Sequence, residues 1–171
     1  QDAAAMQQLL PRIHLELASI DGAQHIYLNG EDVSETIRQE QVGMAASAVA
    51  AHPCVREFLL GLQRGMAEKQ NVLMDGRDIG TVILPKATVK IFLTASPEAR
   101  AQRRMKELVE KGQPADYEKV LEDIRQRDYQ DTHRKTAPLR QAEDAVLADT
   151  SELDFEESFA LLKKIIAEKA G

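Results

Sequence analysis

The sequence has few of the residues that cross-link, stack or span a membrane. It holds one cysteine, Cys54, so no disulfide can form within the chain, and a reducing compartment is expected. Tryptophan is absent and aromatic residues make up 4%, so the core must be built from aliphatic side chains. No apolar run approaches the roughly 20 residues that a membrane helix needs. We therefore expect a cytoplasmic protein that does not bind membranes.

The sequence also lacks an excess of basic charge and histidines spaced as metal ligands. The formal net charge is -6 at pH 7, whereas proteins that bind nucleic acid along an extended surface present a basic face. The four histidines are scattered through the chain without the spacing typical of zinc ligands. The sequence thus predicts neither a nucleic-acid partner nor a metal site of its own.

Two charged clusters stand out, residues 75–81 (DGRDIGT) and residues 127–134 (RDYQDTHR), and five of the twelve arginines lie in or near them. Each cluster mixes arginines with carboxylates. Arginine binds phosphate through forked hydrogen bonds, while a carboxylate accepts hydrogen bonds from amino and hydroxyl groups. Together the two clusters predict a pocket for a nucleotide, that is, for a small anionic ligand.

The pattern after residue 71 is typical of βα units around a parallel sheet, because short apolar runs alternate with amphipathic helical segments. The first cluster follows the apolar run 72–74, so we expect it at the carboxyl end of a buried strand, where ligands bind in open α/β sheets. Residues 112–114 (GQP) separate two helices and could act as a hinge. The predicted strands are 71–75, 89–94 and 145–149, and the predicted helices are 97–111, 116–134 and 155–169.

The first seventy residues have a different pattern. Residues 12–17 and 24–28 alternate apolar and polar positions around Asp21-Gly22, which predicts an antiparallel hairpin inserted into the α/β domain. Ser34 is a plausible N-cap for a further helix. The predicted helices are 1–10, 34–38 with continuation over 44–51, and 54–69.

Several motifs, in the same order along the chain, closely resemble the bacterial cytidylate kinase family. They are Val55-Arg56-Glu57, 75–82 (DGRDIGTV), 89–93 (VKIFL), 99–104 (ARAQRR), Arg127-Asp128 and 134–139 (RKTAPL). The resemblance extends over nearly the whole chain. It implies a single P-loop nucleoside monophosphate kinase-like α/β domain over 1–171, truncated at the N-terminus, with a parallel sheet flanked by helices and a small antiparallel β insert. The monophosphate-binding insert would cover about 12–52 and a mobile lid about 97–134.

The resemblance also implies an activity and its residues. Members of the family transfer a phosphoryl group from ATP, with Mg²⁺, to CMP or dCMP in pyrimidine nucleotide metabolism, and a monomer is the family expectation. By that resemblance Ser47, Arg56 and Asp78 would read the cytosine. Arg127 and Asp131 would bind the sugar, and Arg77 and Arg134 the phosphate. Arg77, Arg127 and Arg134 would also act in catalysis, and the lid residues Arg100, Arg103 and Arg104 would bind the ATP phosphates.

One family motif has no match within the 171 residues. The glycine-rich phosphate loop G-x-x-x-x-G-K-[ST] does not occur in them. We therefore expect this chain to carry the CMP-binding half of the site and to be inactive alone, with the motif either outside the given sequence or lost by truncation. The alternatives are a catalytically inactive CMP-binding fragment and a structural or regulatory fragment whose clusters are surface salt bridges.

Overall fold

The structure, a computed structural model, describes residues 3–49 and 52–171. The chain divides into two compact units, Gln1–Val72 and Leu73–Gly171. The first combines helices with a small antiparallel sheet, and the second packs helices on a parallel pair of strands.

The helices of the first unit follow the predicted pattern closely. Helix α1 spans Ala3–Leu9, and Pro11 falls within the 3-10 turn Leu10–Arg12 that follows it. Helix α2 spans Glu40–Val49, and α3 spans Pro53–Lys69 with its proline in the first turn, where the missing amide hydrogen costs nothing. An apolar pocket of about 140 Å³ lies between these helices and is lined by side chains such as Met6, Leu10 and Phe58.

The predicted hairpin is present and carries an unpredicted third strand. Strands β1 (Leu15–Ile20) and β2 (Ala23–Leu28) pair antiparallel, with Ile20 opposite Ala23. The turn residues Asp21 and Gly22 both have positive φ (52° and 79°), as a two-residue hairpin loop that matches the strand twist requires. A second such turn leads into β3 (Glu31–Asp32), which pairs with the end of β2.

Ser34 ties this sheet together instead of capping a helix, so the predicted N-cap is wrong. Its hydroxyl accepts from the Ile26 amide at 2.9 Å and donates to the Asp32 carboxylate at 2.5 Å. A 3-10 turn, Thr36–Arg38, follows, and its N-cap, Glu35, makes no side-chain cap hydrogen bond. The competing partner is Asp32, which also accepts from the Ser34 amide at 2.9 Å and pairs with His25 at 2.7 Å.

Asp32 should make the antiparallel sheet sensitive to acid. Hydrogen bonds, the strongest from the Ser34 hydroxyl, lower the pKa of Asp32 from its ordinary value of 3.8 to about 2. Because the unfolded chain then binds more protons than the native chain, the sheet loses stability as the pH falls from about 4 towards 2. Amide hydrogen exchange at Ile26 and Ser34 measures this loss. Asp32→Asn should abolish the pH dependence and the neighbouring Glu31→Gln should keep it; the reverse result would contradict the assignment.

The second unit is built on two parallel strands and three helices. Strand β4 (Ile91–Thr94) lies beside β5 (Val146–Asp149), with Ile91 opposite Val146. Helices α4 (Pro97–Glu110) and α5 (Tyr117–His133) pack against each other, and Gly112 ends α4 with a φ of 66°. Helix α6 (Phe155–Ala170) begins with a capping box between Asp154 and Glu157. The buried apolar side chains of this unit are Ile83, Ala95, Ala101, Leu121, Ala148 and Ile165.

The predicted strand 71–75 is wrong, and with it the expectation that the first cluster follows a buried strand. These residues adopt no regular structure, and the Leu73 side chain is 89% exposed. A strand needs a neighbour to satisfy its backbone hydrogen-bonding groups, and in the described part of the chain the parallel sheet consists of β4 and β5 alone. An apolar run therefore indicates a strand only where such a partner exists.

Candidate functional site

A π-helical turn after Asp78 positions the first charged cluster. The turn spans Ile79–Ile83, and the Asp78 carbonyl accepts from the amides of Val82 and Ile83 at 2.9 and 3.2 Å. The Ile83 side chain is buried and anchors the turn in the core. Gly76 lies against the Ile79 side chain so closely that a Cβ would meet it at 3.0 Å. Such turns are rare and frequently occur at functional sites.

The second cluster occupies the last turns of α5 and the loop beyond it. Asp131 lies on the helix, and Arg134 is its C-cap. The loop folds back, because the Leu139 amide donates to the Asp131 carbonyl at 2.8 Å and Arg134 Nε donates to the Ala137 carbonyl at 2.6 Å. Ala137 has a φ of 49°, which is unfavourable for a residue with a side chain. This backbone strain is held in place by the contacts around Arg134.

Two ion pairs join the clusters, although they lie far apart in the sequence. Arg77 Nε donates to Asp131 Oδ2 at 2.9 Å, and Arg134 Nη2 lies 3.7 Å from Asp78 Oδ1. The Asp78 carboxylate is the least exposed of the four side chains, at 12%. The predicted juxtaposition of the two clusters is therefore present, with each arginine beside a carboxylate of the other cluster.

Arg134 retains unused hydrogen-bonding capacity. Its Nη2 atom is buried and has no hydrogen-bond partner among the described residues. Buried donors in native proteins are normally satisfied, because an unsatisfied one costs about 1–3 kcal/mol. An anionic ligand beside Asp78 would supply the missing acceptor.

A third ion pair lies one residue beyond Arg127. The carboxylate of Asp128 accepts from Arg100 Nη1 at 2.9 Å and from Nη2 at 2.5 Å, which links α5 to α4. The Arg100 guanidinium lowers the pKa of Asp128, with further contributions from the charges of Arg77 and Arg127. Conversely, the hydrogen bonds to Asp128 raise the pKa of Arg100. Asp128 was not predicted as a site residue, although its position beside Arg127 in the second cluster was a signal for it.

Arg103 and Arg104, the other two arginines that the family resemblance assigns to a lid, make contacts within the protein. Arg103 Nη2 donates to the carbonyls of Thr150 and, at 3.1 Å, Leu153, in the turn between β5 and α6. Arg104 Nη1 bonds to Glu107 one turn along the same helix at 2.8 Å. Arg103 thus satisfies backbone carbonyls, whereas Arg104 makes an exposed pair of the kind that contributes little to stability.

These contacts predict unequal effects on stability. Arg103→Ala should lower the free energy of unfolding by about 1–2 kcal/mol, since hydrogen bonds from a charged donor to two carbonyls are lost. Arg104→Ala, on the same helix, should change it by at most about 0.5 kcal/mol. Urea unfolding of both variants measures the difference. Equal stabilities, with ATP affinity lost only in the Arg103 variant, would instead favour the predicted phosphate contact.

The remaining predicted residues, Arg127, Arg56 and Ser47, lie on three different helices. Arg127 is exposed and makes no ion pair with any residue that the structure describes. Arg56 lies on α3 in the first unit. The side chain of Ser47, on α2, lies outside the part of the chain that is described.

Within residues 3–49 and 52–171, no group of three or more acidic, histidine or cysteine side chains could hold a metal ion, and no helix is long and apolar enough to cross a membrane.

Comparison with known proteins identifies the family. The family model described as cytidylate kinase matches residues 1–168. Cytidylate kinases of Geobacillus thermodenitrificans and Geobacillus sp. (strain WCH70) are 49% and 46% identical to this chain over 170 residues, which is 99% of the chain and 76% of each relative. The enzyme of Carboxydothermus hydrogenoformans is 47% identical over 169 residues. The chain therefore belongs to the cytidylate kinase family, whose fold is that of the P-loop nucleoside monophosphate kinases.

Proposed function

We propose that this chain carries the acceptor half of a cytidylate kinase site, at which CMP or dCMP receives a phosphoryl group from ATP. The observation that carries the proposal is the pairing of the two clusters, Arg77 with Asp131 and Arg134 with Asp78. The site residues are Arg77, Asp78, Arg127, Asp131 and Arg134. With them go the family's monophosphate-binding insert at about 12–52 and its lid at about 97–134, within a single domain.

Arg77 and Arg134 are proposed to bind the phosphate. A nucleoside monophosphate carries about two negative charges at neutral pH, and arginine forks match phosphate oxygens. Both arginines lie beside carboxylates, so a phosphate would exchange one anionic partner for another. Arg134 Nη2 supports this role, because it lies in an ion pair with Asp78 but makes no hydrogen bond among the described residues, so it can still donate to an anion.

Asp78 is proposed to read the base. Cytosine offers an exocyclic amino donor where uracil offers a carbonyl acceptor, so a carboxylate accepts from the first and repels the second. Asp131 and Arg127 would bind the sugar hydroxyls. The family resemblance also assigns Ser47 and Arg56 to the base, and that assignment stays a prediction.

Catalysis would rest on positioning and electrostatics. In phosphoryl transfer the moving group carries charge spread over its oxygens, and arginines stabilise that charge without covalent chemistry. Arg77, Arg127 and Arg134 are the candidates in this chain. Mg²⁺ would be bound chiefly by the ATP phosphates. Gly112 would allow the lid to move over the donor.

Calorimetric titration with CMP, UMP and ATP tests the proposal. CMP should bind, and UMP should bind about 5- to 150-fold more weakly, since one buried polar mismatch costs about 1–3 kcal/mol. CMP binding without ATP binding would favour the inactive CMP-binding module. A chain that binds no nucleotide would contradict both readings and leave the ion pairs as structural.

A further inference from the structure

All three nitrogen atoms of the Arg100 guanidinium donate hydrogen bonds within the protein. Nε donates to the Ala95 carbonyl at 3.1 Å, and both terminal nitrogens donate to the two oxygens of Asp128. This is the forked geometry in which arginine also binds a phosphate group. Asp128 therefore occupies the face of Arg100 that a phosphate would need.

The pair lies where a ligand can reach it. Ala95 directly follows β4, so Arg100 is anchored at the carboxyl edge of the parallel strands, which is where ligands bind in open α/β folds. Both side chains are 36% exposed. An incoming anion can thus approach the guanidinium without any rearrangement of the core.

We propose that Asp128 is an internal counter-ion that occupies Arg100 until the triphosphate of the donor nucleotide takes Arg100 over. The proposal rests on the proposed function, because it takes ATP as the donor. It adds a residue, Asp128, whose role is to position and release Arg100 and not to contact substrate.

The exchange of partners costs little free energy, because Asp128 keeps other cationic neighbours. The charges of Arg77 and Arg127 already favour its ionised form, so its carboxylate is not left in an uncompensated environment when Arg100 leaves. The triphosphate offers Arg100 the same forked acceptor with more negative charge. One anion replaces another, and the guanidinium remains hydrogen-bonded throughout.

As a consequence, the affinity of the protein for ATP depends partly on Asp128. A ligand that needs a minor, open state binds with an affinity reduced by the population of that state. If Arg100 is bound to Asp128 nine times out of ten, ATP affinity falls about tenfold relative to a protein in which Arg100 is always available. Weakening the internal pair should therefore strengthen ATP binding.

Asp128→Asn tests this directly by calorimetric titration of the whole chain with MgATP. Asparagine keeps the shape but loses the charge and one of the two acceptors. The Kd for MgATP should fall about threefold to tenfold, as expected for release of a partly exposed, bidentate pair. A purely structural link between α4 and α5 would leave the Kd unchanged or raise it, and either result overturns the proposal.

Two controls separate partner exchange from a general change of charge. Glu98→Gln breaks the pair of Glu98 with Arg125, which joins the same two helices at 2.8 Å. Like Asp128→Asn, this substitution removes one negative charge. It should change the Kd by less than about twofold. In an Arg100→Ala background, Asp128→Asn should lose its effect. A gain that persists in that background shows an electrostatic field effect and contradicts the proposal.

If the variants fold poorly, the pKa of the Asp128 carboxyl group tests the proposal in the chain without substitutions. Arg100 lowers its pKa, so saturation with MgATP should raise that pKa towards its ordinary value, followed by carbon-13 NMR. An unchanged pKa in the saturated protein would contradict release. CMP titration of the same sample keeps the two hypotheses apart: a chain that binds neither nucleotide refutes the proposed function. If the chain binds CMP and its MgATP affinity does not rise in Asp128→Asn, the counter-ion role alone fails.

Discussion

Arg77→Ala should weaken the binding of CMP and UMP alike, by about 10- to 100-fold. A hydrogen bond to a charged group contributes about 1.5–3 kcal/mol, and the variant loses such a bond to the ligand phosphate. It also removes the partner of Asp131, whose carboxylate then repels the same phosphate. Calorimetric titration with CMP, UMP and cytidine measures the effect. Cytidine has no phosphate, so its affinity should fall much less.

The matched control for this experiment is Arg125→Ala. Arg125 also pairs with a carboxylate at similar distance, 2.8 Å, but its partner is Glu98 on the neighbouring helix. Its removal should leave CMP affinity within about twofold, because exposed pairs contribute little. A cytidine affinity that falls as far as that of CMP would contradict a phosphate-binding role for Arg77.

Asp78→Asn should lower the preference for CMP over UMP by about 5- to 150-fold. The amide that replaces the carboxylate can donate to the uracil carbonyl, so the acceptor-to-acceptor repulsion of UMP is removed. An unpaired polar contact of this kind costs about 1–3 kcal/mol when buried, and the Asp78 side chain is largely buried. The ratio of kcat/KM for the two nucleotides, or of their Kd values, is the measurement.

Asp131→Asn is the comparison for that variant. It is also a carboxylate paired with an arginine of the site, but it is proposed to bind the sugar, which CMP and UMP share. It should weaken both nucleotides equally. The same equal loss in Asp78→Asn would refute base reading by Asp78, and a preserved preference would place the discrimination elsewhere.

Local signals in the sequence predicted most of the elements. Asp21-Gly22 supplies the positive φ values of the hairpin turn, and Pro97 and Gly112 mark the ends of α4. The helical pattern of the second cluster also predicted that Asp131 and Arg134 would lie on α5 or at its end. In each case the residue type determines the backbone conformation over a few positions.

Features that depend on distant partners could not be predicted in the same way. Residues 71–75 have the composition of a strand but lack a paired neighbour in the described chain. Ser34 has a cap-forming side chain that bonds instead to Asp32 and Ile26. The partners that the arginines of α4 have within the protein, namely Asp128, the carbonyls after β5 and Glu107, were also not predicted, while their contact with the ATP phosphates stays a prediction. Helical periodicity identifies neighbours within a helix but gives no partner across the fold.

The parallel pairing of β4 and β5 has a kinetic consequence. Parallel strands cannot be joined by a tight turn, and here the crossover runs through residues 95–145, which include α4 and α5. Contacts distant in sequence form slowly, because the loop must close before they stabilise the chain. The α4–α5 hairpin is local, so we infer that it forms early and shortens the loop that must close before β4 and β5 can pair. Arg77 and Asp78 meet α5 only across a comparably long separation, so nucleotide binding should appear late in refolding, after most helical signal has recovered.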